Sequence, residues 1–60
     1  MSWSTYFVTY TIIYSDGQRS ESGNNLNLES PSESQAIDLL KKQNNVPQNA
    51  QIIIKNMKKL

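Results

Sequence analysis

Residues 5–14 form the most strand-like segment of the chain, because every one of them is β-branched or aromatic. The even-numbered positions are all apolar or aromatic, whereas the odd-numbered positions set threonines beside Phe7 and Ile13. Alternate side chains of a strand point to opposite faces of its sheet. The pattern therefore predicts a central strand with one buried face and one face that is only half covered.

A turn signal at residues 15–17, Ser-Asp-Gly, separates this segment from a second predicted strand at about residues 18–29. In a three-residue hairpin loop the last residue is left-handed, a conformation that glycine adopts without steric cost. With that loop, Leu26 and Leu28 fall on the buried face of the first strand, whereas a two-residue loop puts them on the half-covered face. Burial favours the three-residue loop. Gly23 marks a bulge or a break in the second strand.

A helix start is predicted at Ser30, which is followed by Pro31 and Glu33 in a capping-box pattern. The helix then extends to about residue 43, where two asparagines and a nearby proline end it. Its acidic residues lie early and its lysines lie in the last turn, an order that complements the helix dipole. The apolar stripe of this helix consists of Ala36, Ile37, Leu39 and Leu40.

The third strand is predicted at about residues 51–57, with Ile52 and Ile54 on one face and Ile53, Lys55 and Met57 on the other. Since the first strand is the most apolar, it belongs between the other two, and the helix carries the chain across it. Residues 1–60 are therefore predicted to form one α+β domain. Its two layers are a three-stranded antiparallel sheet of order 2-1-3 and one helix on one face, in the chain order β-β-α-β.

The second face of such a sheet has no covering layer, and several apolar side chains are expected on it. Contiguous exposed apolar surface often marks an interaction site on soluble proteins. We therefore predict a non-catalytic module that docks a protein partner, or a second copy of itself, on this face or on the outer edge of the third strand. The predicted contact residues are Trp3, Phe7, Ile13, Ile53, Lys55 and Met57.

The absence of cysteine and histidine removes disulfides, thiolate ligands, the commonest metal ligand and the commonest general base. A chain of 60 residues buries little apolar surface, and small domains usually gain stability from a disulfide, a metal or oligomerisation. The composition leaves oligomerisation open, so a homodimer is predicted. No serine lies in a recognisable nucleophile motif and the carboxylates lack metal-ligand spacing, so no enzyme activity, cofactor or metal site is predicted.

The net charge of +1 is unevenly distributed, with every lysine in the second half of the chain. Lysines can contact phosphates, and Tyr6, Tyr10 and Tyr14 recur at a spacing that suits a ladder for stacked bases. The same tyrosines share the apolar face of the first strand, which favours a role in the core. A small nucleic-acid-binding protein is the first alternative, and a structural or self-assembling subunit is the second. The lysines concerned are Lys41, Lys42, Lys55, Lys58 and Lys59.

No segment has the features of a signal peptide or the roughly 20 apolar residues of a transmembrane helix, so a soluble, cytoplasmic protein is predicted. The short, asparagine-, serine- and lysine-rich β-β-α-β layout resembles small phage or mobile-element proteins, among which inhibitors of host defence such as anti-CRISPR proteins occur. The resemblance implies an inhibitor that occludes a larger complex. Because it rests on size and layout alone, it assigns no residue a role.

Overall fold

A computed structural model describes residues 2–60 as three strands and one helix. β1 (Ser4–Ile13) and β2 (Arg19–Leu28) form a hairpin, α1 (Glu33–Lys42) follows, and β3 (Gln51–Lys59) completes the sheet. β1 lies in the centre and pairs antiparallel with both neighbours, so the strand order is β2-β1-β3. The predicted α+β class, the sheet order and the hairpin are confirmed.

The hairpin loop has three residues, as the burial argument predicts. The Tyr14 N–H donates to the Gln18 carbonyl over 2.8 Å, and Gly17 has a φ of 90°. Leu26 and Leu28 consequently lie on the same face as the buried aromatic residues of β1, and both are themselves buried. A side chain at the glycine position would be strained by that positive φ, which explains why the loop ends in glycine.

The N-cap of the helix lies two residues later than predicted. Ser32, not Ser30, is the N-cap, and its Oγ accepts a hydrogen bond from the Gln35 N–H over 3.4 Å. A serine followed three residues later by a carboxyl or amide side chain occurs twice here, at Ser30–Glu33 and at Ser32–Gln35. Either pair satisfies the capping-box pattern, so the sequence indicated a helix start without fixing its residue.

The end of the helix directs the connecting loop back into the core. Asn44 is left-handed, with a φ of 59°, and the Asn45 N–H donates to the Leu40 carbonyl over 3.1 Å. These two features form a Schellman-type helix end, in which a backbone N–H beyond the helix satisfies a terminal carbonyl. Val46 and Ala50 in the following loop are buried, although the sequence analysis did not assign them to the core.

The core fills the space between α1 and one face of the sheet, with Ile37, Leu39, Ile54 and Met57 half-buried at its margin. Tyr10 is the largest fully buried side chain, and its hydroxyl donates to Asn24 Oδ1, which satisfies the polar end of the ring. Tyr10 therefore belongs to the core and not to an exposed stacking ladder. The buried residues are Tyr6, Val8, Tyr10, Ile12, Leu26, Leu28, Ala36, Leu40, Val46, Ala50 and Ile52.

A bulge interrupts the pairing of β1 with β3. Thr9 lies opposite Asn56, whereas the next residue, Tyr10, lies opposite Ile54, so Lys55 is an extra residue without a partner on β1. An extra residue reverses the relation between sequence number and sheet face for the part of the strand that follows it. The bulge thus changes which side chains of β3 reach each face.

Met57 is the residue that the bulge displaces from its predicted position. It lies opposite Val8 and packs against the core, so its predicted place on the open side of the sheet is wrong. The expectation of an irregularity at Gly23 is also wrong, because the pairing of β2 with β1 runs through that residue in constant register. The one helix within residues 2–60 has ten residues, about half the length that a membrane-spanning helix needs.

Candidate functional site on the open sheet face

The side of the sheet opposite α1 is called the open face below. It carries the odd-numbered residues of β1 and β2 and the residues of β3 that lie beside them. Three strands contribute one residue each to every cross-strand row. From one end to the other, the rows are Asn27–Thr5–Leu60, Asn25–Phe7–Lys58, Gly23–Thr9–Asn56, Glu21–Thr11–Ile53 and Arg19–Ile13–Gln51.

Most of the exposed large apolar side chains in residues 2–60 lie on the open face. Phe7 is 41% exposed, Ile53 is 45% exposed and Leu60 is 67% exposed, and the half-buried Ile13 lies in the row next to Ile53. Phe7, Ile13 and Ile53 are residues that the sequence analysis assigned to this face. Their exposure follows from the architecture, because the single helix packs against the opposite side of the sheet.

Leu60 belongs to the open face, although the sequence analysis did not identify it. Its N–H donates to the Thr5 carbonyl over 2.9 Å, which continues the register that follows the bulge. Strict alternation through residues 51–60 would have placed Leu60 on the same face as Ile52 and Ile54. The bulge moves Met57 from the open face to the core side and brings Leu60 onto the open face. The end of the open face beside Thr5 therefore carries an apolar side chain.

The ring of Phe7 lies against Gly23 of the neighbouring strand. A Cβ atom at Gly23 would be 2.8 Å from Phe7 Cζ and 3.2 Å from Cε1, so the ring fills the space that a side chain would occupy. Glycine in a strand interior often marks such a close approach. The ring thus rests on β2 while a large part of its surface stays in contact with solvent.

One ion pair crosses the open face over the central strand. Lys55 Nζ, from the bulge, lies 2.7 Å from Glu21 Oε1 on β2. The hydrogen bond from Lys55, and then its positive charge, lower the pKa of the Glu21 carboxyl from its ordinary value of 4.5. Glu21 has the one side-chain carboxylate in the five rows, whose cationic side chains are Arg19 and Lys58. The open face is therefore cationic.

Removing the lysine should restore the ordinary titration of this carboxyl. We expect Lys55→Met to raise the pKa of Glu21 towards 4.5, because the donor and the neighbouring charge are both lost. A carboxyl whose pKa is lower in the folded state stabilises the fold above its unfolded pKa, and that contribution disappears as the pH falls through the folded pKa. NMR of the side-chain carboxyl carbon measures the titration, with Lys42→Met as the control. Identical Glu21 titrations in the wild type and Lys55→Met would contradict the ion pair.

Trp3 lies beside the helix, away from the other predicted contact residues. It is 58% exposed and lines a cleft of about 270 Å³, together with Leu28 and Leu39. The remaining lining residues are Asn27, Gln35, Asp38 and Lys42. The structure therefore separates Trp3 from Phe7, Ile13 and Ile53, and the grouping of Trp3 with the open face is wrong.

The five lysines predicted as possible phosphate contacts do not converge on one surface. Lys41 Nζ donates to the Gln48 carbonyl over 3.3 Å, so this lysine is engaged at the end of the helix. Lys42 lines the cleft beside α1, and Lys59 lies opposite the buried Tyr6. Lys55 and Lys58 alone among the five lie on the open face.

The described part of the chain contains no group of three or more Asp or Glu side chains that could hold a metal ion. Comparisons of the chain with protein-family models, with curated proteins and with solved structures give no match. The case for a function therefore rests on the geometry of the open face.

Proposed function

We propose that the chain is a non-catalytic binding protein that docks a protein partner on its open face. The proposal rests on the exposure of Phe7, Ile53 and Leu60 on one uncovered side of the sheet. Covering a large apolar side chain stabilises a complex by roughly 1.5–3 kcal/mol when the side chain was fully exposed before, and by correspondingly less here. A few well-covered side chains usually carry most of the binding energy of an interface.

The charges of the open face indicate the character of the partner surface. Arg19, Lys55 and Lys58 outnumber the single side-chain carboxylate, that of Glu21, which Lys55 already engages. Electrostatic complementarity favours a partner with an apolar patch bordered by carboxylates. The small size of the domain and its resemblance in layout to small phage proteins support a protein that occludes a site on a larger partner.

A charge placed at Ile53, on the β3 side of the open face, tests the proposal. We expect Ile53→Asp to weaken partner binding at least about tenfold, because an aspartate loses its hydration when the partner covers it. The variant should fold, since Ile53 is exposed. Ser34→Asp adds the same charge at an exposed position of α1 and serves as the matched control.

The measurement is affinity capture from a lysate of the source cells, with mass spectrometry, for the wild type and both variants. A specific partner should appear with the wild type and with Ser34→Asp and be lost with Ile53→Asp. Circular dichroism checks that all three proteins are folded. Equal recovery of every captured protein by the wild type and Ile53→Asp would refute the proposed contact surface.

A nucleic acid is the second candidate partner, and the exposed ring of Phe7 beside Lys58 favours it. Aromatic rings on an open sheet can stack on unpaired bases, while cations contact the phosphates. Fluorescence anisotropy with a labelled single-stranded oligonucleotide distinguishes the two candidates. Binding that weakens steeply with salt and is lost in Lys58→Glu would support this candidate. Absence of oligonucleotide binding, together with capture of a protein partner that Ile53→Asp abolishes, would support the first.

A further inference from the structure

The two edges of the sheet differ in how well they are protected against pairing with another strand. β3 carries the bulge at Lys55, and Lys58 and Lys59 lie near its end. Bulges and lysines are features that discourage strand pairing. β2 is a ten-residue edge strand with no lysine and no proline, and its register with β1 is unbroken. The structure therefore favours the edge of β2 over the edge of β3 as a site of strand addition.

We propose that two copies of the chain pair antiparallel through their β2 edges, in a register centred on Asn24. The result is one six-stranded sheet of order β3-β1-β2-β2-β1-β3. This homodimer is independent of the proposed docking on the open face, because it uses backbone groups at the edge of the sheet. It also supplies the oligomeric stabilisation that a short chain without cysteine is expected to need.

The backbone groups available for this pairing follow from the hairpin. The hydrogen bond from the Tyr14 N–H to the Gln18 carbonyl marks a hydrogen-bonded pair, and such pairs alternate along an antiparallel ladder. The even-numbered residues of β2 therefore bond to β1. The odd-numbered residues direct their N–H and C=O groups outward, and all of them are exposed. They are Arg19, Glu21, Gly23, Asn25 and Asn27.

Charge complementarity selects the register between the two copies. When the pairing is centred on Asn24, Arg19 of one copy lies opposite Glu29 of the other, one residue beyond its β2, and symmetry produces this pair twice. When it is centred on Asn25, Glu21 of one copy opposes Glu29 of the other, which gives two like-charge pairs. Opposite charges directly across antiparallel strands stabilise the pairing, whereas like charges destabilise it.

The other centres are less favourable. Centres at residues 22 and 23 bring no opposite charges together, and a centre at residue 21 sets Glu21 against Glu21. A centre at residue 20 pairs Arg19 with Glu21, but only the end of the hairpin then overlaps, and Glu21 is already bonded to Lys55. The register centred on Asn24 is the one that combines long overlap with two unlike-charge pairs.

The dimer has a consequence for the shape of the protein. Directly opposed residues of an antiparallel pair place their side chains on the same side of the sheet. Both helices therefore lie on one side of the six-stranded sheet, and the two open faces join into one surface on the other. Phe7 and Ile53 are then present twice on a continuous platform.

Single cysteines test the register directly, because the chain contains no native cysteine. In the proposed dimer the two Asn24 positions face each other in a non-hydrogen-bonded pair, with Cα atoms about 4.5 Å apart, a distance that a disulfide can span. Under mild oxidation Asn24→Cys should therefore form a covalent dimer at least about tenfold faster than Ser22→Cys or Asn25→Cys, whose symmetry mates are offset along the strand. Equal or faster cross-linking of either control variant would overturn the proposed register.

A charge swap tests the same interface without a covalent bond. Arg19→Glu should raise the dimer Kd about tenfold at low salt, because two attractive pairs become repulsive. Adding Glu29→Arg to that variant should restore the affinity of the wild type. Light scattering over a dilution series measures the Kd, and circular dichroism confirms that each variant is folded. A wild type that stays monomeric at every concentration, or a double variant as weak as the single one, would overturn the proposal.

Discussion

Replacing Tyr10 with alanine should unfold most of the protein, whereas replacing Phe7, three residues earlier on the same strand, should leave it folded. Tyr10 is 1% exposed and Phe7 is 41% exposed, because the two rings lie on opposite faces of β1. Truncation of a large buried aromatic side chain costs about 3–5 kcal/mol. A domain of this size rarely holds more than about 3–5 kcal/mol in total, so the loss at Tyr10 is decisive.

Urea denaturation followed by circular dichroism measures the effect of these substitutions on the free energy of unfolding. Tyr10→Phe is the matched control, because it keeps the ring and removes only the hydroxyl that donates to Asn24. We expect that control to lose about 1 kcal/mol, the usual net contribution of one hydrogen bond. Equal losses for Tyr10→Ala and Phe7→Ala would contradict the assignment of the two faces.

Leu40→Ala should have a similarly large effect, of about 2–5 kcal/mol. The Leu40 side chain is fully buried in the core between α1 and the sheet. Since α1 is the one helix of the described chain, no other helix can fill the cavity that the truncation leaves. The helix should therefore detach from the sheet in a large part of the population.

Lys42→Ala provides the control for Leu40→Ala, because it changes an exposed residue two positions further along the same helix. Exposed substitutions of this kind usually change stability by less than about 0.5 kcal/mol. Thermal and urea unfolding of both variants separate a packing effect from a change in helix propensity. An unfolding midpoint of Leu40→Ala equal to that of Lys42→Ala would show that the helix does not cover this face.

The hairpin was predictable because, of the two- and three-residue loops, only the three-residue loop puts both leucines on the buried face. A slip of one residue would have moved Leu26 and Leu28 to the exposed side of the sheet. The three-residue loop with glycine at its left-handed position agrees with that choice. Local turn chemistry and long-range burial therefore led to the same register, which the structure confirms.

The bulge at Lys55 was not predicted, although the sequence contains a signal for it. The apolar residues that face the helix from β3 are Ile52, Ile54 and Met57, so their spacing changes from two to three. A bulge produces such a change, because it adds one residue to one strand of the pair. Strict alternation instead assigned Met57 to the open face. For the same reason it places Leu60 on the face that packs against the helix, where the structure does not put it.

The candidate site was predictable where it depends on β1 and on the part of β3 before the bulge. Phe7, Ile13 and Ile53 lie on the open face as expected, since alternation holds for both segments. Trp3 precedes β1, so strand alternation does not determine its surroundings, and it lines the cleft beside α1. Its position depends on how the chain approaches the sheet, a tertiary property that periodicity does not encode.

The proposed docking surface requires that Phe7 and Ile53 lie on the side of the sheet that α1 does not cover. Solution NMR with a water-soluble paramagnetic probe measures this arrangement, through nuclear Overhauser effects and probe broadening for individual side chains. We expect strong broadening of the Phe7 ring and the Ile53 methyls, with Overhauser contacts between Met57 and Val8. Overhauser contacts from Phe7 or Ile53 to Leu40, with both protected from the probe, would contradict this arrangement.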